Sequence, residues 1–282
     1  MTDTERSTKT RIYDADHRML PVGPYLSDTF AHLQFAYQKA RLDLKGAHKD
    51  TWFGRLWNVL NPLLLGMVYW LLVMVIFNSG GESPMQVLAQ ILGGLFLFGL
   101  PSAALALGAR SIVGGGTFVL NTRIPRLILP IGSVISSFLM FLPSLAVYAI
   151  FHVLAGFPIG PHLLWAIPLI ALLLLLSLGL ATLFATLNVF FRDVSSFLPY
   201  ITRIWLYLSP IIYLYSTIPD NLSWALMINP IGGLFAAWQQ ALFEGINPSA
   251  NFLAAAIGWS VAILILGVYS FLRREREFAI RI

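Results

Sequence analysis

The chain is expected to be an all-α membrane protein: six transmembrane helices, an amino-terminal amphipathic interface helix, and two short re-entrant helices between spans five and six. Three observations predict this. Of its 282 residues 57% are hydrophobic and only 11% charged, with a mean hydropathy of +0.75, whereas soluble domains carry roughly 25% charged residues. Apolar stretches recur at the ~20-residue length that crosses about 30 Å of hydrocarbon. All 18 Lys and Arg fall in the amino-terminal segment, the tail and alternate loops, as cytoplasmic loops require. With 20 Phe, 8 Trp and 10 Tyr, disorder is excluded.

The first 55 residues hold nine Lys or Arg and seven Asp or Glu without an apolar run. No cleavable signal peptide is expected, and the amino terminus should stay in the cytoplasm. Residues 1–27 read as a flexible cytoplasmic tail. Over 28–46, Phe30, Leu33, Tyr37, Ala40 and Leu44 recur at alternating spacings of 3 and 4, with Gln34, Gln38, Arg41 and Lys45 on another face. Such a helix lies in the cytoplasmic membrane interface or packs on other protein, and Trp52, Phe53 and Trp57 continue the aromatic anchoring. Five spans are then expected at about 56–77, 85–109, 127–154, 163–191 and 252–272. A sixth is expected at about 200–218, where Arg203 snorkels from its first turn. The transmembrane domain is thus 56–272, and 273–282 is a cytoplasmic tail.

This topology leaves 18 positive and 10 negative residues inside and only Glu82, Asp220 and Glu244 outside. The basic pI of about 9.6 therefore follows from membrane topology and gives no support to nucleic-acid binding. Residues 222–243 are apolar enough for a seventh span, but Asn229-Pro230, Gly232-Gly233 and Gln239-Gln240 interrupt them. A seventh span would also put Arg273, Arg274, Arg276 and Arg281 outside. Two short helices dipping in from the outer face fit better, because irregular backbone at membrane depth survives only against protein or a wet cavity.

Chemistry of the chain's own is hard to find. Ion-coupled transporters need ionisable side chains within their spans, and none of Asp, Glu, Lys or Arg occurs between residues 127 and 191. His152 and His162 flank an outer loop and read as structural. No HExxH, nucleophile elbow or carboxylate pair is present, no catalytic residue is assigned, and no metal site or cofactor on this chain is expected. Zero cysteines remove thiol chemistry. Gly114-Gly115-Gly116 lacks the Lys-Ser/Thr of a phosphate loop and reads as a flexible turn. Active transport would thus draw its energy from another subunit. Pro62, Pro101, Pro130, Pro143, Pro168 and Pro210 serve as kinks or hinges. Tyr69, Trp70, Tyr200, Trp205, Tyr207, Tyr213 and Tyr215 form interfacial belts or line a passage on which sugar rings slide.

Several strings occur together: Leu56-Trp57 with Asn61-Pro62, Arg123-Ile-Pro-Arg-Leu-Ile-Leu-Pro130, Arg192-Asp193-Val194 with Leu198-Pro199, Leu208-Ser-Pro-Ile-Ile-Tyr213, Ile218-Pro219 and Asn229-Pro230. In this order, over roughly residues 28–282, the chain resembles the permease subunit of ABC-type polysaccharide exporters, the Wzm-like family that exports lipid-linked O antigens and teichoic acids. The resemblance implies two permease and two ABC ATPase subunits in a bacterial cytoplasmic (inner) membrane, with ATP and Mg bound by the partner and both termini cytoplasmic. It implies a homodimer around a passage for a polyprenyl-diphosphate-linked glycan, with cell-wall galactan the preferred cargo.

The resemblance further implies roles for particular residues. The loop 110–126, with Arg110, Asn121, Arg123 and Arg126, carries the coupling helix that enters the ATPase; Arg192 and Asp193 make the second contact. Arg110, Arg123 and Arg126 read equally as topology-setting cations, and Arg192 and Asp193 as a mutual pair or helix cap. The resemblance places Asn229, Pro230, Gly232 and Gly233 in the outer gate, while the aromatic density of spans one and five, apart from any resemblance, makes Tyr69, Tyr207 and Tyr213 the candidate passage aromatics. The chain departs from its relatives at Ile124, where an aromatic is usual, in the Gly114–Gly116 run, and in its amino-terminal extension. Two other readings remain: a permease for small hydrophobic compounds, and an integral-membrane transferase acting on a lipid carrier.

Overall fold

The computed structural model describes residues 22–46, 52–76, 83–116, 122 and 124–281, and every regular element among them is helical. Helices α1 (Val22–Ala31) and α2 (Leu33–Gly46) meet at His32, whose amide still donates to the Asp28 and Thr29 carbonyls at 3.2 and 3.1 Å. The helical segment therefore begins at Val22, and residues 22–27, expected in the tail, are helix. The packed face also differs from the expected stripe. Thr29, Ala36 and Ala40 are buried, while Phe30 and Tyr37 are 65% and 45% exposed. Small side chains let helices approach closely, and Ala36 lies against Gly132 of the helix described next as α5.

Among the described residues five helices are long and apolar enough to cross a bilayer, which makes the chain a multi-pass membrane protein. They are α3 (Trp57–Ile76), α4 (Pro84–Gly114), α5 (Ile128–Leu154), α6 (Ala166–Phe190, led by a 3₁₀ turn at Pro161–Trp165) and α10 (Ala250–Arg281). Ser83 starts α4, its hydroxyl accepting from the Gln86 amide at 3.2 Å, with Pro84 at the first helical position, where a missing N–H is harmless. Helix α4 is the hub, with α3, α5 and α6 around it, α10 on α6 and α2 on α5. Gly179 of α6 and Gly267 of α10 bring those two backbones into direct contact, since a Cβ at Gly267 would meet the Gly179 carbonyl. At 1.5 Å per residue α4 and α10 run about 46 and 48 Å, beyond a ~30 Å hydrocarbon layer. Both carry their Arg residues in the overrun, at what we call the basic end; the opposite end is here the amide end.

The sixth expected span is not one helix. Helix α7 (Val194–Leu208) starts six residues before Tyr200 and has 15 residues, about 22 Å. It stops at Ser209-Pro210, where proline lacks the N–H that would continue the ladder. Helices α8 (Trp224–Ile228) and α9 (Gly232–Gln239) follow, separated at Asn229-Pro230, and α9 runs on into a π-helical turn, Gln240–Glu244. Gly245, at φ +71°, ends that turn in the left-handed region glycine favours. Every residue from Ile231 to Phe243 is buried, including Phe235 and Trp238.

Candidate functional site

The amide end is built around chain that leaves regular helix between Leu208 and Tyr215. Main-chain groups left without helical partners around Pro210 find them in side chains. Gln239 of α9 supplies three: its Nε2 donates to the Pro210 and Tyr213 carbonyls at 2.8 and 3.1 Å, and its Oε1 accepts from the Tyr215 amide at 2.8 Å. Asn229 uses all its bonding capacity. Its Nδ2 donates to the Leu208 carbonyl (3.1 Å) and Ser209 Oγ (2.8 Å), and its Oδ1 accepts from Trp205 Nε1 (2.9 Å) and the Ile231 amide (3.2 Å). Gln240 joins Tyr215 Oη to the Ser249 amide, and Tyr215 Oη donates to Glu244.

Pro230 stands at the bend between α8 and α9, where it stops α8. Gly232 is required by contact: a Cβ there would strike the Leu226 carbonyl of α8. At Gly233 a Cβ would sit 2.8 Å from the Ala255 Cβ of α10. Trp259 of α10 donates to the Met227 carbonyl at 2.7 Å. The four expected gate residues thus form one folded unit on α10, held by uncharged side chains.

Two of the three expected passage aromatics come together. Tyr69 of α3 and Tyr207 of α7 meet edge to face at 6.2 Å with hydroxyls 2.9 Å apart. Trp205 packs on Phe98 of α4. Tyr213 joins neither pair; it is half-buried in the irregular segment and offers its carbonyl to Gln239.

At the basic end, Asn121 and Arg123 lie outside the described residues. Arg110 is exposed about one turn from the end of α4. Arg126 is anchored: its amide donates to Glu275 Oε1 at 3.1 Å, and its guanidinium donates to the Glu275 carbonyl. Glu275 is 5% exposed, beside Tyr25 of α1, whose hydroxyl accepts from the Leu127 amide at 3.2 Å. Burial, reinforced by the neighbouring Glu275 carboxyl, holds the Tyr25 phenol well above its ordinary range. Ile112, Leu127, Leu129, Ala185, Val189, Phe271 and Phe278 form a separate apolar cluster around this junction.

Arg192 and Asp193 make no ion pair with each other, and the Asp193 side chain does not cap α7. Asn188 does that work through its Oδ1, accepting from the Ser195 amide at 3.2 Å, while Arg192 reaches the Arg281 carbonyl at 3.5 Å. The Arg274 and Arg281 guanidinium carbons lie 4.7 and 4.5 Å from the ring centre of Phe190. Sequence reasoning missed Tyr25, Asn188 and Glu275. Glu275 carried a usable signal, a carboxylate on the same helical stripe as Phe271 and Phe278.

The family model described as ABC-2 type transporter matches residues 41–243. Two relatives from Klebsiella pneumoniae, each named O-antigen export system permease protein RfbA, are 28% and 26% identical to this chain. Those alignments cover 82% and 84% of it, and 89% and 90% of the relatives. A Myxococcus xanthus protein of the same name is 28% identical over 84% of this chain and 91% of its own length. With most of its length matched, the chain belongs to the ABC-2 type transporter membrane family, and its expected kinship with polysaccharide-export permeases is met by these relatives.

Proposed function

We propose that the chain is the transmembrane subunit of an ATP-driven exporter that moves a polyprenyl-diphosphate-linked polysaccharide, cell-wall galactan being the preferred cargo, out of the cytoplasm. Two copies pair around the passage, and two ABC ATPase subunits dock at the basic end. One observation carries this reading: no Asp, Glu, Lys or Arg lies within 57–76, 84–109, 128–154, 166–190 or 250–272. These five helices thus offer no charged residue to bind a driving ion, and the driving force enters from outside the bilayer, where the charges are.

In this reading α7 and the segment to Ile218 complete the sixth crossing, and α8 and α9 are the re-entrant outer gate containing Asn229, Pro230, Gly232 and Gly233. Arg110, Asn121, Arg123 and Arg126 face the ATPase, with Arg192 and Asp193 as the second contact. Tyr69, Tyr207 and Tyr213 line the passage and give sugar rings a low-specificity surface. Both termini are cytoplasmic. The test is purification of a tagged chain from native membranes, together with a deletion strain. Co-purifying ATPase and lipid-linked polymer accumulating inside the cell are expected. Drug sensitivity without polymer accumulation, or purification without an ATPase, overturns the assignment.

A further inference from the structure

A cleft of about 260 Å³ opens where α2, the start of α3 and the middle of α5 meet, lined by Tyr37, Arg41, Lys45, Asn58, Leu139 and Pro143 among others. Its two walls differ. Helix α2 contributes Arg41 and Lys45, and α5 contributes apolar Leu139 and Pro143. Asp43 is the only acidic residue of α2 and is held by Lys39 at 2.6 Å. Arg41 and Lys45 have no carboxylate partner among the described residues, and the Arg41 guanidinium lies 5.8 Å from the ring centre of Tyr37.

Depth places this cleft at a headgroup layer. Gly93 of α4 lies against Tyr148 of α5. In this antiparallel pair, Leu139 therefore stands at a level about 27 Å from the Pro84 end of α4, close to one hydrocarbon thickness. Trp52 and Phe53, fully and half exposed, lie just before α3 and mark the same boundary, where aromatic side chains concentrate.

We propose that this cleft binds the phosphate of an anionic bilayer phospholipid. Arg41 and Lys45 hold the headgroup, and its acyl chains run over Leu139 and Pro143. The site requires only that the chain span a membrane and is independent of the cargo exported. The lipid would fasten α2 to the membrane beside α5.

The test uses the full chain in nanodiscs, with native mass spectrometry reading retained lipid. Phosphatidylglycerol, phosphatidylcholine and farnesyl diphosphate are the probes. Wild type is expected to keep phosphatidylglycerol in preference to the other two, and R41Q/K45Q to weaken that retention by roughly thirtyfold. L139W fills the cleft without touching a charge and should weaken it as well; K39Q should leave it unchanged. Equal retention of phosphatidylglycerol and phosphatidylcholine overturns the proposal, as does a K39Q loss matching R41Q/K45Q. Preferential capture of farnesyl diphosphate overturns it in favour of a carrier-lipid site.

Discussion

The two ends of the molecule solve the same problem with different chemistry. At the amide end, irregular backbone from Leu208 to Tyr215 is satisfied by Asn229 and Gln239, neutral side chains with their bonds directed inward. At the basic end, the chain around Arg126 is satisfied by Glu275, and the last carbonyl of α10 by Arg192 at the edge of solvent. A neutral amide supplies donor and acceptor together without the desolvation penalty of a charge, so it suits a site enclosed by α9 and α10. At the basic end the buried Glu275 is instead held beside the Arg126 guanidinium, while Arg192 is exposed to water.

The sharpest way to break this comparison is Gln239→Leu. It strands two carbonyls and one amide in a buried setting, at about 1–3 kcal/mol each, and should abolish the monodisperse peak in fluorescence-detected size exclusion. Survival with an unchanged melting temperature would show that these groups find other partners. Glu275→Ala comes next, freeing the Arg126 amide and leaving a void beside Tyr25. A loss of about 1–3 kcal/mol is expected, read as a lower melting temperature, while Glu275→Gln keeps the Oε1 acceptor and should recover most of it. Ser83→Ala removes the cap of α4 at the amide end and should cost about 1 kcal/mol or less, measured in the same melt. Tyr69→Phe removes one hydroxyl contact on a partly exposed pair, worth about 0.5–1.5 kcal/mol. Folding should be nearly unaffected, so any fall in export reports on the passage.

Much of the fold was legible because hydrocarbon thickness imposes length: five long helices fall within a few residues of their expected positions, except that α10 runs nine residues past Leu272. The breaks at Asn229-Pro230 and Gly232-Gly233 were legible too, from local backbone chemistry. The end of α7 at Leu208 was not, because a proline inside an apolar run reads equally as a kink, and Pro62, Pro101 and Pro143 do sit within helices. What distinguishes Pro210 is Gln239, 29 residues away, offering its carbonyl a partner. The start of the first helix at Val22 was hidden for a similar reason. Tyr25 looks unremarkable until Leu127 is beside it, and no periodicity within the segment reports a contact made 102 residues later.

Helix α10 has no proline along its 32 residues, whereas α3, α4, α5 and α7 are each interrupted by an interior proline. Its two anchor points, Trp259 on the Met227 carbonyl and Glu275 on Arg126, are 16 residues apart, about 24 Å of unbroken rod. Sharp bending in helices concentrates at prolines and bulges, so this rod has no joint in which a displacement at Arg126 would be lost. A tug on one anchor arrives at the other as tilt, and α10 is in that sense the molecule's lever, with its fulcrum at the glycine crossing of Gly179 and Gly267.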